Sequence, residues 1–200
     1  MEQIQSRGGQ EPLINIVGEK VALGPIHKDV LPILNKWEND FEVTFFSGDP
    51  MRPVVLEETA TRYARDSKGE QRDQIQFILY EKATLRPIGL AELRHIDSRN
   101  RTATYGILIG EKDCWSKGYG TETTRLMLDY GFTVLGLHNI DLTTSGYNER
   151  AIRAYERADF RLIGQRREAH RWGDKVYHVV IMDCLASEFE TPLKRLLQLP

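Results

Sequence analysis

The stretch of this 200-residue chain whose residue types and spacing point most directly to chemistry is Trp115-Ser116-Lys117-Gly118-Tyr119-Gly120-Thr121-Glu122. Glycines at 118 and 120 remove Cβ bulk where a backbone must turn sharply or let a ligand come close. A strand pattern over 102–110 precedes the stretch and a helix pattern over 121–135 follows it. The helix would begin with unpaired N–H groups and the positive end of its dipole, a seat for phosphate oxygens. Taken alone, the stretch is equally a plain strand-to-helix turn. Two nucleotide loops are excluded. A P-loop needs a Gly-Lys-Ser/Thr ending that Gly118-Tyr119-Gly120 does not lead into, and a dinucleotide fingerprint needs a third glycine where Thr123 stands. The hydrolase elbow and zinc-protease motifs are also absent.

The elements that must position this stretch follow from composition and pattern. A chain with 40% hydrophobic residues can build one domain with a sizeable core. With a formal net charge of −2 it lacks the bulk positive charge that drives nucleic-acid binding, so no stable nucleic-acid partner is expected. No apolar run is long enough for a bilayer, and residues 1–18 lack a basic start followed by an apolar core. Neither membrane attachment nor export is expected, and the reading is cytoplasmic. Cys114 and Cys184 lie far apart without metal-type spacing and read as reduced core residues, so no metal site is expected.

Residues 1–18 read as a flexible arm, 19–185 as the domain, and 186–200 as a C-terminal helix or tail. Strand signals cover 20–23, 76–81, 88–95, 102–110, 139–144, 161–167 and 175–183. Helical spacing covers 27–38 (Val30, Leu31, Leu34, Trp37), 56–65, 121–135 and 148–158. Residues 39–53 read as a long loop rich in aromatics, and 68–74 as a polar connection. Short turns among the three strands from 76 to 110 favour an antiparallel meander. The strand 102–110, its helix and the strand 139–144 form a βαβ unit, so those two strands should lie parallel. The fold class is therefore α/β, an α+β mixed sheet with helices on both faces.

Four segments together carry a resemblance to a known family. They are Asn39-Asp40-Phe41-Glu42-Val43-Thr44, the Trp115–Glu122 stretch, Asn148-Glu149-Arg150-Ala151-Ile152-Arg153-Ala154-Tyr155 ending in Phe160, and Lys175-Val176-Tyr177-His178-Val179-Val180-Ile181-Met182. In this order they resemble the GNAT superfamily of N-acetyltransferases, and within it the ribosomal-protein-alanine N-acetyltransferase-like (RimJ/RimL-type) branch, over about 20–184. The resemblance implies the GNAT acyl-CoA N-acyltransferase fold, a mostly antiparallel sheet splayed between two parallel strands. It implies acetyl-CoA as donor. Backbone N–H groups from Lys117 to Thr121, within a loop formed by Trp115, Ser116, Lys117, Gly118, Tyr119, Gly120 and Thr121, would hold the pyrophosphate. Leu108, Ile109 and Gly110 would align the pantetheine arm, an N–H near Ile109 polarising the thioester carbonyl. Asn148 would contact the cofactor, and Tyr155 would be the general acid as well as part of the cofactor site. The sequence departs from the pattern at Trp115, at Ala151 where a serine is usual, and at Asp159 where glycine commonly stands.

The resemblance leaves the base open. An α-amine of pKa near ~8 is already about 10% neutral at pH 7, whereas a lysine-type amine is only ~0.04% neutral, so an α-amino acceptor needs little help. Glu92, next to the splayed strand, is the first candidate, with Glu111 and His95 behind it; His170, Trp172 and His178 could line the acceptor side. A phenol can protonate a departing thiolate only if its pKa is lowered or if transfer follows bond cleavage closely. The expected function is acetyl transfer to a protein N-terminal or small-molecule primary amine by direct attack on the thioester. A polyamine or aminoglycoside-type acetyltransferase is the enzymatic alternative, for which the loop offers Asp40, Glu42 and Asp49. A non-catalytic acyl-CoA-binding regulatory module is the alternative of another class. The expected partners are acetyl-CoA and an amine acceptor, with the chain a monomer or homodimer.

Overall fold

A strand as apolar as Ile75–Glu81 is satisfied only by burial on both faces. That is how β3 (Ile75–Glu81) sits in the computed structural model, which describes residues 11–47, 51–67 and 73–190. Phe77 and Leu79 join the main core, while Ile78 and Tyr80 enter a smaller cluster on the opposite face. β3 lies within an eight-stranded sheet of order β1-β2-β3-β4-β5-β6-β8-β7. The other strands are β1 (Ile16–Val17), β2 (Val21–Gly24), β4 (Arg86–Asp97), β5 (Thr102–Ile109), β6 (Asn139–Ser145), β7 (Arg161–Trp172) and β8 (Lys175–Leu185).

Among the described residues five α-helices cover the faces. α1 (Leu31–Asn39), α2 (Phe41–Ser47) and α3 (Leu56–Ser67) precede the meander. α1 brings Ile33 and Leu34 to the smaller cluster, and α4 (Tyr119–Asp129) brings Leu126, Met127 and Leu128 to the main core. α5 (Glu149–Glu156) adds Tyr155 to that core. Among the described residues no helix is long and apolar enough to cross a membrane.

Every neighbouring pair of strands is antiparallel except β5 and β6. Those two pair in parallel over only three positions, Thr102↔Asn139 to Thr104↔Asp141. Beyond them β5 stays on β4 as far as Gly89↔Ile109, and β6 stays on β8 as far as Ser145↔Val179. Each strand follows its outer partner, so the two diverge into a V.

The structure corrects several expected boundaries. The loop 39–53 contains α2, capped by Asp40, whose Oδ1 accepts from Glu42 N at 3.1 Å and Val43 N at 3.4 Å. Its seven residues span only about two turns, too few for helical spacing to show. The sheet begins at β1, inside the expected arm, because Ile14 and Ile16 pack against the two cores. The helix expected over 121–135 starts at Tyr119 and passes into a π-turn over Tyr130–Val134. β7 extends to Trp172 rather than 167, held by pairing of 170–172 with β8. Residues 186–188 form a turn, not a helix. Residues 1–10 of the expected arm, 48–50 of the loop, 68–72 of the polar connection and 191–200 of the expected terminal helix lie outside the described residues.

Candidate active site

The V between β5 and β6 opens into two chambers of about 240 Å³ and about 590 Å³. Phe46, Ile107, Leu108 and Tyr155 border both. The smaller chamber lies against α4 and α5, the larger against α1, α3 and strands β4 to β8.

The smaller chamber is built for an anion. Gly118, at φ 89°, caps α4 in a left-handed conformation that a side chain would strain. The first turn bond of α4 is Glu122 N to Gly118 O at 3.1 Å, so the N–H groups of Tyr119, Gly120 and Thr121 precede it without helical acceptors. A Cβ built on Gly120 would meet nothing within 4 Å. The fold does not require glycine there, but its absence of side chain keeps the space before the loop clear. Arg150, Arg153 and Arg157 line the chamber from one face of α5 and its C-terminal end, and among the described residues no carboxylate lines it. These features fit the phosphates of an acyl-CoA.

The loop is fixed from several sides. Trp115 Nε1 donates to Ile109 O at 2.8 Å, and the Arg150 guanidinium lies 4.0 Å from the Trp115 ring centroid. Tyr119 hydroxyl donates to Glu81 at 2.7 Å, which pushes the phenol up to about 12. Lys20 Nζ donates to Lys117 O at 3.3 Å.

At the junction of the chambers stands Tyr155, brought there by the buried stripe of α5. Its hydroxyl makes no hydrogen bond among the described residues, and burial pushes its pKa up to about 12. Gly110 N bonds Ile88 O at 2.9 Å, toward β4. Since backbone groups alternate sides along a strand, Ile109 faces the gap, consistent with its carbonyl accepting from Trp115 there. Its N–H is thereby presented to the cleft. Asn148 caps α5, its Oδ1 accepting from Ala151 N at 3.2 Å, and its Nδ2 donates to Phe46 O at 3.3 Å while the residue lines the smaller chamber.

Glu92 lies in the larger chamber on β4. Its carboxylate accepts from Gln74 Nε2 at 2.7 Å, Gln76 Nε2 at 3.0 Å and Arg94 Nη1 at 2.8 Å. A carboxylate has about four acceptor positions, so roughly one remains for an incoming amine or water.

Other expected residues fall elsewhere. Gly110 lines neither chamber: a Cβ there would lie 2.1 Å from the Trp37 ring, so this glycine admits an indole rather than a cofactor. Lys117 and Tyr119 border a separate open surface with Glu19, Lys20, Glu81 and Lys82 and do not line the smaller chamber. Ser116 and Thr121 line the smaller chamber with Leu108 and Ile109. Glu111 accepts from Lys36 and from Trp37 Nε1, both at 2.8 Å, and serves the fold. His95 is exposed at φ 52°, where the β4–β5 register slips, and lines neither chamber. His178 accepts from Glu168 N at 3.1 Å, and Trp172 packs edge-on against Phe45 outside the chambers. Of the three histidine and tryptophan candidates only His170 borders the larger chamber.

The site also holds residues that sequence reasoning passed over. Phe46 and Val43 come from the unforeseen α2. Arg150, Arg153 and Arg157 were readable as one helical face, at spacings of three and four, but a charged face is usually only solvated.

Residues 20–161 match the model of the acetyltransferase (GNAT) domain. Over 149 residues the chain is 30% identical to the spermidine N(1)-acetyltransferase of Escherichia coli (strain K12), covering 72% of this chain and 75% of that protein. It is 24% identical over 172 residues to an uncharacterized N-acetyltransferase p20 of Bacillus licheniformis, covering 86% and 96%. The crystal structure of the Vibrio cholerae spermidine N-acetyltransferase in complex with CoA and spermine superposes with a TM-score of 0.76 at 24% identity, over 84% of this chain and 97% of that one. A dodecameric structure of the Vibrio cholerae enzyme superposes at 0.69, with 24% identity over 84% and 95%. The Escherichia coli and Vibrio cholerae relatives bear polyamine names rather than the ribosomal-protein type of the sequence resemblance. Family model, sheet and splayed strands agree, and the chain belongs to the acetyltransferase (GNAT) family of N-acetyltransferases.

Proposed function

We propose that the chain transfers the acetyl group of acetyl-CoA to the primary amine of a small molecule or peptide, by direct attack of the amine. The observation that carries this reading is the junction at Tyr155, where a chamber suited to phosphates meets a larger one across the gap between β5 and β6. Acetyl-CoA supplies an activated thioester. The N–H groups of Tyr119, Gly120 and Thr121, with Arg150, Arg153 and Arg157, hold its phosphates; Leu108 and Ile109 lie beside its pantetheine arm, and the Ile109 N–H polarises the carbonyl. Asn148 holds α2 against α5 and offers its amide to the cofactor. Glu92, directly or through a water, takes the amine proton, and Tyr155 donates a hydrogen bond to the leaving sulfur.

A CoA-release assay over simple amines, polyamines, aminoglycosides and short peptides tests the reading. Acetyl-CoA binding without CoA release from any amine would sink it and leave a non-catalytic acyl-CoA-binding module. The spermidine acetyltransferases among the relatives favour a second reading, a polyamine acceptor, over a protein N-terminus. For the assembly we retain a monomer or homodimer, against the dodecamer described for the Vibrio cholerae enzyme; light scattering of the purified chain reads the mass.

A further inference from the structure

The larger chamber, where the acceptor must enter, has an ionic lining with a definite sign. Arg52, Arg62, Arg94 and Arg166 border it against two carboxylates, Glu38 and Glu92. Both carboxylates are already ion-paired to arginines of the same wall, Glu38 to Arg62 and Glu92 to Arg94. Arg52 pairs with Glu58, which does not border the chamber. Arg166 borders it from β7, exposed and without an ion pair among the described residues. Arg94 gives Glu92 only Nη1, so the rest of its fork remains open. His170 offers no free acceptor for a cation, since its ring nitrogens engage Ser145 at 2.9 Å and Tyr147 at 3.4 Å.

Of the three acidic loop residues that could receive a polycation, Asp49 lies outside the described residues and the other two are taken. Lys112 bridges Asp40 and Glu42, each at 2.9 Å, and neither borders the chamber. Among the described residues the wall thus carries more fixed positive than negative charge, and its charged donors are guanidinium forks. Such forks match the paired oxygens of carboxylates and phosphates, whereas a polyamine, fully protonated at neutral pH, meets like charge.

Resting on the acetyltransferase reading above, we propose that the acceptor is a primary amine that also carries a carboxylate or phosphate, which Arg166 receives at the chamber wall while the amine reaches the Tyr155 junction. A polycationic amine is the wrong charge for this site.

The test compares acceptors matched in amine but not in charge: a short peptide with a free C-terminal carboxylate against its C-terminal amide, phosphoethanolamine against ethanolamine, and spermidine. The full chain with acetyl-CoA should show kcat/KM about tenfold or more higher for the anionic member of at least one pair, the scale of one charge-assisted contact, and spermidine below it. The pair that responds tells carboxylate from phosphate. Arg166→Glu should erase the preference through KM, and Arg166→Lys should restore part of it. Calorimetric titration of the same compounds into the CoA-loaded chain reads acceptor binding without turnover. No CoA release from any amine would refute the acetyltransferase function, while the calorimetric order still decides the charge preference. Tighter binding of spermidine or of the neutral partners, or a preference that survives Arg166→Glu, overturns the proposal.

Discussion

Replacing Tyr155 by phenylalanine separates its chemical role from its packing role. Burial pushes the phenol up to about 12. A departing thiolate, taken from cysteine, has a conjugate-acid pKa of ~8.5. Complete proton transfer from Tyr155 to a free thiolate is therefore uphill by ~3.5 pKa units, about 5 kcal/mol at 1.36 kcal/mol per unit. The sequence left two routes for this tyrosine, a lowered pKa or transfer tied to bond cleavage, and burial supports the second. In the proposed mechanism Tyr155 would donate a hydrogen bond to the sulfur as charge builds, with delivery of its proton coupled to loss of the amine proton. Tyr155→Phe should then lower kcat by about 10²-fold, the low end of general-acid effects, with little change in KM for acetyl-CoA. Its hydroxyl makes no hydrogen bond among the described residues, so the urea midpoint should hardly move. Because the pKa is raised, the phenol stays protonated, and kcat should show no alkaline limb from this group up to ~pH 10. CoA release followed with a thiol reagent, across pH and beside urea unfolding, gives every readout. Full turnover in Tyr155→Phe would refute the assignment; so would an alkaline limb near neutrality that the substitution abolishes.

Two glycines should respond in opposite ways. Gly110→Ala drives a Cβ into the fully buried Trp37 ring and should cost about 1–3 kcal/mol in urea unfolding, as overpacking does. Gly120→Ala meets no protein atom and should leave stability unchanged or raised by up to ~1 kcal/mol, while KM for acetyl-CoA rises several-fold. Burial opposes ionisation of Glu111, but its bonds to Lys36 and Trp37 outweigh that and hold the carboxyl below its ordinary 4.5. A depressed folded-state pKa stabilises the fold above the unfolded value and loses that effect as pH falls through the folded one. Wild type should therefore exceed Glu111→Gln in stability by a constant margin from pH 6 to 8, and the margin should shrink as pH drops below about 4.5 in paired unfolding curves. Tyr119→Phe frees the loop from Glu81 and should raise KM for acetyl-CoA a few-fold with kcat retained, read by initial rates.

Local rules carried the sequence a long way. Alternation in Gln76–Glu81 and spacing along Leu126, Met127 and Tyr130 identified strand and helix, and the chain order alone required the parallel contact of β5 and β6. The glycine stretch before α4 pointed to phosphate because helix ends have fixed electrostatics, whatever surrounds them. The same patterns missed α2, whose stability comes from the Asp40 cap and from the packing of Phe45 against Tyr147 at 4.7 Å rather than from its own spacing. The family resemblance implied Gly110 at the cofactor, and nothing local reveals that Trp37 fills the space beside it. Only the tertiary structure decided that the parallel pairing stops after three positions, which opens the cleft, and that Tyr155 stands where the two chambers meet. It alone brought Arg94 from β4 and Arg166 from β7 to one wall and tied Asp40 and Glu42 to Lys112, because charge balance at a site is set by residues far apart in the chain. The donor was thus written in short segments, while the charge of the larger chamber was set by how the strands fold around it.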